Sequence, residues 1–450
     1  MNTALIAKVL GWLLAMLGGL LLVPCAVAWL YDEPSLHFLA ASAVGILFGG
    51  LLGGTIRPAR SQMRAREGFL VVVLGWLAAS ALGAIPYFIS YALPLPDAIF
   101  ESVSGFTTTG ATVMTDLDGQ PRSLLLWRAM TQWLGGMGII VFAIAVLPLL
   151  GIGGMQLFRA ETPGVVTEKI APRMAATARR LWMIYLGFTA LEFVLLAAAG
   201  MPAFEALCHA FTTAATGGFS TRDDSIRAFG SARIDWIVIV FMVIGGINYV
   251  LHFEMLTGRF RQALRDAELR YYLGTLVGIT LVVAFLLRLE PTEDHGGLRG
   301  AAFQVTSMMT GTGYHTALFD QWPVDSQIVL LLLMLLGGMA GSTTGAVKGL
   351  RVLISIRVLS DALTQLVHPR AIQRVKHEDQ PIPAEILTGV WAFLIAYGLL
   401  VAGTSVVVAA EGLDLVTAIS VAVSAVGNVG PALGEAGPID GYAHFDTDTK

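Results

Sequence analysis

Four stretches of this chain carry residue types suited to holding a cation with backbone oxygen. They are Ser104-Gly105-Phe106-Thr107-Thr108-Thr109-Gly110-Ala111, Phe211-Thr212-Thr213-Ala214-Ala215-Thr216-Gly217-Gly218, Ser307-Met308-Met309-Thr310-Gly311-Thr312-Gly313-Tyr314 and Ser424-Ala425-Val426-Gly427-Asn428-Val429-Gly430-Pro431. Aligned on Gly110, Gly217, Gly313 and Gly430, they recur at intervals of 107, 96 and 117 residues. A β-branched residue (Thr109, Thr216, Thr312 or Val429) precedes each glycine. A phrase repeated at this period points to internal duplication. Non-helical backbone inside a membrane leaves its carbonyls unpaired at considerable cost, and a bound cation can satisfy them. Such a site needs short helices whose negative dipole ends face one axis. It needs glycine for conformations with φ > 0, and roughly fourfold symmetry. A single Thr-Gly pair is more simply a close contact between membrane helices. Four copies in corresponding places favour the binding ring.

The elements that must position these phrases follow from hydropathy. The chain has 450 residues, 55% hydrophobic and 13% charged, with mean hydropathy +0.71. Soluble domains carry about 25% charged residues, so this composition is that of an all-α integral membrane protein. Cys25 and Cys208 stand far apart in apolar surroundings, which argues against a disulfide framework. The apolar run after Lys8 lacks a small-residue cleavage site and reads as a retained helix. Runs of bilayer-spanning length fall at 4–30, 36–56, 68–91, 123–150, 181–200, 234–256, 271–289, 327–358 and 384–410. Shorter apolar pieces at 98–107, 203–213, 299–309 and 414–425 lead into the four phrases. Ten helical residues reach only about 15 Å, half the hydrocarbon thickness, so these pieces read as re-entrant. Asp97 and Asp414 are the expected N-caps of two of them, and Pro202 suits the first turn of a third.

Orientation follows from lysine and arginine. Segments 57–67, 157–181, 257–272 and 357–382 hold 17 of these residues and are cytoplasmic, as is the N-terminus. The opposite face holds six basic and nineteen acidic residues and carries all four phrases. An acidic mouth concentrates cations; solvated loops without such a role fit the same counts.

The arrangement resembles the Trk/Ktr/HKT potassium-transporter superfamily, in particular its bacterial Trk-type membrane subunits. The most specific string is Trp127-Arg128-Ala129-Met130-Thr131-Gln132-Trp133-Leu134-Gly135-Gly136-Met137-Gly138-Ile139, followed by Glu161-Thr162-Pro163-Gly164. The resemblance implies four pseudo-symmetric helix–pore helix–helix repeats around one ion pathway, with two extra N-terminal transmembrane helices. The implied division is 1–61 for the accessory helices, then repeats at 62–158, 159–258, 259–372 and 373–450. It implies potassium as the transported ligand, with no covalent cofactor. The filter would comprise Thr108, Thr109 and Gly110; Ala215, Thr216 and Gly217; Gly311, Thr312 and Gly313; and Asn428, Val429 and Gly430. In plant relatives a serine in place of the first filter glycine goes with sodium transport, so Gly110 implies potassium. The resemblance also implies a homodimer in the bacterial inner membrane and a cytosolic nucleotide-binding (RCK-type) regulatory subunit. No phosphate loop or dinucleotide fingerprint occurs in the chain, and no nucleic-acid partner is expected.

The run 327–358 would be about 48 Å long as one helix, too long for the bilayer unless tilted or broken. Its middle, Gly337, Gly338, Gly341, Ser342, Thr343, Thr344 and Gly345 followed by Lys348, disfavours helix. By resemblance this is a gating loop beneath the filter; a glycine-rich packing face with snorkelling basic residues is the other reading. Arg128 either braces the pore helices or anchors its helix at the interface. Glu192 is an acid within a spanning run, a functional candidate or a polar helix contact. His209 suits a polar contact with a neighbour, and His252 with Glu254 form no metal pair.

The fourth repeat reads as incomplete, because no spanning run follows Pro431. On that expectation its filter segment loses support on one side, and the C-terminus lies outside. Uptake would be driven by the membrane potential, about 2.3 kcal/mol per charge per 100 mV. A membrane enzyme is disfavoured, since no nucleophile–base spacing occurs. A non-conducting subunit of a transport complex is the alternative.

Overall fold

The computed structural model describes residues 2–58, 65–90, 93–145, 170–289, 296–368, 376–377 and 380–446. The string Glu161–Gly164 and the expected boundaries at 61/62, 158/159 and 372/373 lie outside the described residues. Helices α1 (Thr3–Leu20) and α2 (Leu22–Leu30) form one span and α3 (Leu36–Thr55) a second. Small residues let α1 and α3 touch along their backbones. A Cβ built on Gly49 would lie 2.6 Å from the Gly11 carbonyl oxygen.

Four units follow. The first holds α4 (Ala65–Ser90), the short α5 (Leu95–Phe106) and α6 (Arg122–Ala145). The second holds α7 (Ile170–Ala198), the short α8 (Ala203–Ala214), α9 (Ala232–Gly245) and α10 (Tyr249–Leu256). A single turn, α11 (Phe260–Ala263), leads to the third: α12 (Ala267–Leu289), the short α13 (Gly297–Thr310), α14 (Val324–Leu336) and α15 (Gly349–Val367). A two-residue antiparallel ladder, Lys376–His377 with Gln380–Pro381, precedes α16 (Ala384–Ala409) and the short α17 (Leu415–Gly427). Among the described residues six helices, seven counting the bent α9–α10 pair, are long and apolar enough to cross a membrane. Their outward faces carry exposed leucine, valine and phenylalanine, such as Leu47, Phe285 and Leu399, as lipid contact requires. The chain is a multi-pass membrane protein. Cys25 and Cys208 are both free and buried.

The short helices run 12 to 14 residues, at most about 21 Å, and end three or four residues into their phrases. Asp414 caps α17 as expected, its carboxylate accepting from the Thr417 amide at 2.6 Å. The other two caps differ slightly. α5 starts after Pro94, which leaves Asp97 in the first turn, and Pro202 is the cap of α8 and not its first residue.

Two long runs break. The break in 327–358 is the expected one: residues 337–348 are not helical. The run 234–256, expected to be one span, bends by 102° between α9 and α10. Its cause is local. Asn248 caps the new helix, its side chain accepting from the Val250 amide at 2.9 Å, and the freed Gly246 carbonyl accepts from the Met339 amide at 2.9 Å. The two breaks therefore satisfy each other. After α17, residues 431–446 fold back against the first unit: Ala432, Ala436, Tyr442 and Phe445 are buried with Ala111 and Val113.

Candidate functional site: a ring of four backbone segments

The four phrases share one backbone conformation. Positive φ occurs in pairs two residues apart: Thr108 and Gly110, Thr216 and Gly218, Gly311 and Gly313, Asn428 and Gly430. The hydrogen bonds repeat in step. The amides of Thr109, Gly217, Thr312 and Val429 donate to the carbonyls of Ser104, Thr212, Ser307 and Ser424, at 2.8 to 2.9 Å. Gly218, not Gly217, is thus the structural equivalent of Gly110, Gly313 and Gly430. The sequence alignment is one residue early in the second copy, and Ala215 sits before the three-residue stretch that matches the others. The Gly217-Gly218 pair offered two registers, and the β-branched residue before the glycine selected the wrong one. The hydroxyl residue six positions before (Ser104, Thr212, Ser307 or Ser424) marks the right one.

These glycines close a ring. A Cβ built on Gly110 would collide with the Gly217 carbonyl oxygen, one on Gly218 with that of Thr312, and one on Gly313 with that of Val429. One on Gly430 would lie 2.7 Å from the Thr109 carbonyl oxygen. Each segment's glycine thus rests on the middle carbonyl of the next, and the fourth returns to the first. Taking the three residues ending at each glycine, there are twelve backbone carbonyls. Among the described residues only two accept a hydrogen bond: Gly217 from Gln132 Nε2 and Gly430 from Tyr442 Oη, each at 2.6 Å. The other ten are oxygens without a protein donor in a largely buried setting, which buried carbonyls ordinarily avoid.

Side chains hold the ring from behind. Ser104, Ser307 and Ser424 donate their hydroxyls to the carbonyls of Ala111, Tyr314 and Pro431 at 2.6, 2.7 and 2.8 Å. Thr212 instead shares a short hydroxyl contact with Tyr314 across the second and third segments, and Gln132 Oε1 accepts from the Phe219 amide at 3.0 Å. Asn428 ties the fourth segment to the first: its Nδ2 donates to the Thr107 carbonyl at 3.0 Å and its Oδ1 accepts from Thr109 Oγ1 at 2.5 Å. Arg128 is a brace and not an interfacial anchor, being 1% exposed. Its Nε donates to Glu101 at 2.8 Å and its Nη1 to the Ser220 carbonyl at 3.0 Å, while the guanidinium lies 4.1 Å over Phe219. Glu101 in turn accepts from the Val113 amide at 3.1 Å. One ion pair thereby joins the strands that leave the first and second segments.

The residues 337–348 lie against the same ring. Thr343 Oγ1 accepts from Thr216 Oγ1 at 3.0 Å, and a Cβ on Gly345 would lie 2.6 Å from the Gly427 carbonyl oxygen. The loop is pinned by hydrogen bonds. Gly341 accepts from the Tyr249 amide at 3.2 Å, the Gly338 amide donates to Thr344 Oγ1 at 3.1 Å, and Ser342 Oγ donates to the Met339 carbonyl at 2.6 Å. Gly337 has φ 72° where α14 ends. Lys348 Nζ donates to the carbonyls of Thr344 and Ser342 at 2.5 and 3.2 Å. Glu268, unremarked in the sequence, accepts from both Ala340 and Leu350 amides at 2.8 Å and so holds both ends of the loop. An acid in the first turn of a spanning helix was the signal for it. Gln132 and Tyr442 were also missed, since nothing local in sequence marks a side chain that reaches another repeat.

Other candidates fall outside the ring. His209 meets the Glu205 carbonyl at 2.8 Å and Ser220 Oγ at 3.1 Å, the expected polar contact. Glu192 is buried in α7. Among the described residues no group of three or more His, Cys, Asp or Glu could hold a metal. Arg222 bridges Asp118 and Glu205 at 2.7 and 2.5 Å, so part of the acidic surplus counted for the face expected to be outside is already paired.

Arg128→Met leaves the Glu101 carboxylate buried without its countercharge. The expected loss is about 3–5 kcal/mol, read as a lowered unfolding midpoint in detergent. The double variant R128M/E101L should recover most of it. An R128M protein as stable as the wild type would show that the pair does not brace the site.

Comparison with known proteins places the fold. The family model described as TrkH, cation transport protein, matches residues 34–441. The chain is 40% identical over 441 residues to the Trk system potassium uptake protein TrkH of Salmonella typhimurium, covering 96% of this chain and 91% of that protein. It is 34% identical over 445 residues to the Trk system potassium uptake protein TrkG of Escherichia coli, covering 96% and 91%. The crystal structure of the potassium transporter TrkH from Vibrio parahaemolyticus matches with a TM-score of 0.91 at 35% identity, covering 100% of this chain and 94% of that one. The family resemblance read from the repeated phrases is upheld, and the chain belongs to the TrkH family of cation transport proteins, which are transporters and not enzymes.

Proposed function

We propose that this chain conducts potassium inward across the bacterial inner membrane, through the ring formed by its four segments. The observation that carries this reading is the set of ten carbonyls without protein donors. A dehydrated cation gives such oxygens the partner that water gives them elsewhere. The binding residues are then Thr108, Thr109 and Gly110; Thr216, Gly217 and Gly218; Gly311, Thr312 and Gly313; and Asn428, Val429 and Gly430. The relatives' printed names, potassium uptake proteins, support potassium as the ion. The five-part division of the chain, two accessory helices and four repeats, belongs to this reading.

The loop 337–348 acts as the gate. Its Lys348 ammonium already occupies carbonyl oxygens beneath the ring, and a tethered cation there repels a permeant one. Opening requires the loop to leave Thr216 and the Gly427 carbonyl. Its anchors to Glu268 and to the α9–α10 break are the bonds a regulator would have to overcome. The basic cytoplasmic loops suit a cytosolic nucleotide-binding partner, and the family resemblance supports a homodimer.

Purified protein in liposomes should pass potassium and exclude sodium. Gly218→Ala places a methyl against the Thr312 carbonyl at a residue with φ 76°, and should lower potassium flux by at least about tenfold. A flux unchanged in G218A, or absent in the wild type, would contradict the reading; the latter would favour a non-conducting subunit.

Glu268→Ala should raise resting potassium leak about threefold or more, since two amides lose their acceptor. Glu268→Gln keeps an acceptor oxygen and should stay near the wild type. Equal leak in all three proteins would remove Glu268 from the gate.

A further inference from the structure

We infer that Tyr442 is a positioning residue for the ion pathway, holding the Gly430 carbonyl from outside the ring and setting how closely that carbonyl can approach a bound cation. This inference rests on the proposed reading of the ring as the conduction site.

The four glycine carbonyls at the ring's outer positions are equivalent in backbone conformation, with φ of 83°, 76°, 81° and 104° at Gly110, Gly218, Gly313 and Gly430. They are not equivalent in partners. Among the described residues the carbonyls of Gly110, Gly218 and Gly313 accept nothing, whereas that of Gly430 accepts from the Tyr442 hydroxyl at 2.6 Å. The phenol is buried, and its ring packs against Phe100 at 5.7 Å and Phe445 at 5.3 Å between centroids.

The segment that carries Tyr442 is itself fixed at several points. Ser420 Oγ donates to the Leu433 carbonyl at 3.1 Å and accepts from the Leu433 amide at 3.0 Å. The Glu435 amide donates to Thr417 Oγ1 at 3.1 Å, both hydroxyls coming from α17. The Tyr442 amide then donates to the Thr112 carbonyl at 2.9 Å, two residues past Gly110. The tyrosine therefore spans the junction of the fourth and first segments, and its hydroxyl is referenced to both.

A carbonyl bound from behind resists being drawn inward. A smaller ion needs the oxygens to close further, and the number and field strength of the oxygens that can do so bear on selection between ions. The hydroxyl therefore penalises sodium more than potassium. It also leaves one oxygen of the outer position weaker than the other three, so the site lacks exact fourfold symmetry.

The test is Tyr442→Phe in the full chain, reconstituted in liposomes, with potassium and sodium fluxes measured beside the wild type. The ring packing is kept and one donor is removed. The potassium-to-sodium flux ratio should fall by about three- to tenfold, with potassium flux itself changed by less than about twofold. Phe445→Leu disturbs the same apolar cluster but leaves the hydroxyl, and should keep the ratio. Tyr442→4-aminophenylalanine, which restores a donor, should recover much of it. An unchanged ratio in Y442F with a potassium-selective wild type overturns this inference alone. An equal fall in F445L, or failure of Y442F to fold, also overturns it, because the contact would then be only structural. A wild type without selective flux removes the reading of the ring and this inference together.

Discussion

A glycine Cα pressed against a neighbour's carbonyl oxygen is the contact on which the rest of this molecule depends. It occurs four times, each glycine on the next segment, and the fourth closes on the first. No side chain fits at these places, and φ there is positive. The geometry also explains why the segments come at the ends of short helices. A helix of 12 to 14 residues is too short to cross the hydrocarbon and leaves room within that width for non-helical backbone, which a full-length span would not.

The backbone of the ring is held by side chains behind it, and the structure divides that labour unevenly. Three segments use their own serine hydroxyls. The second borrows Gln132 from α6, and the junction of the fourth and first uses Asn428 and Tyr442. The Arg128–Glu101 pair joins the residues that follow the first and second segments. A buried pair of this kind contributes little net stability, and its use lies in fixing one arrangement. The four segments are alike in backbone and different in side-chain support.

Much of this was legible in sequence. Hydropathy placed most of the helices, although of nine expected spans six, or seven with the bent pair, are long and apolar enough among the described residues, and the repeated phrase located the ring within one residue. The Gly337–Gly345 stretch announced a broken helix. The remainder was not legible for identifiable reasons. Two adjacent glycines, Gly217 and Gly218, offered competing registers, one marked by the preceding Thr216 and the other by Thr212, and the backbone dihedrals and hydrogen bonds decide between them. The α9–α10 bend was hidden because Val243 to Tyr249 is apolar enough to continue a span, and the break is stabilised by a loop about ninety residues later in the chain. Gln132 reaches the second unit and the Tyr442 ring the first, while Glu268 holds amides far along the chain within its own unit; such long-range partners leave little local pattern. The support that residues 431–446 give the fourth segment was likewise unforeseen, since no spanning run follows Pro431 and the fourth segment was expected to lose support on one side.

The central claim is that the ring binds a dehydrated cation. Crystals grown in rubidium in place of potassium would test it most directly, through anomalous scattering. The account predicts anomalous density inside the ring, at coordination distance from the carbonyls of Thr109, Gly217, Thr312 and Val429 or of the residues flanking them. Density confined to the outer face or to the cytoplasmic loops, with water alone among the ring carbonyls, would contradict it.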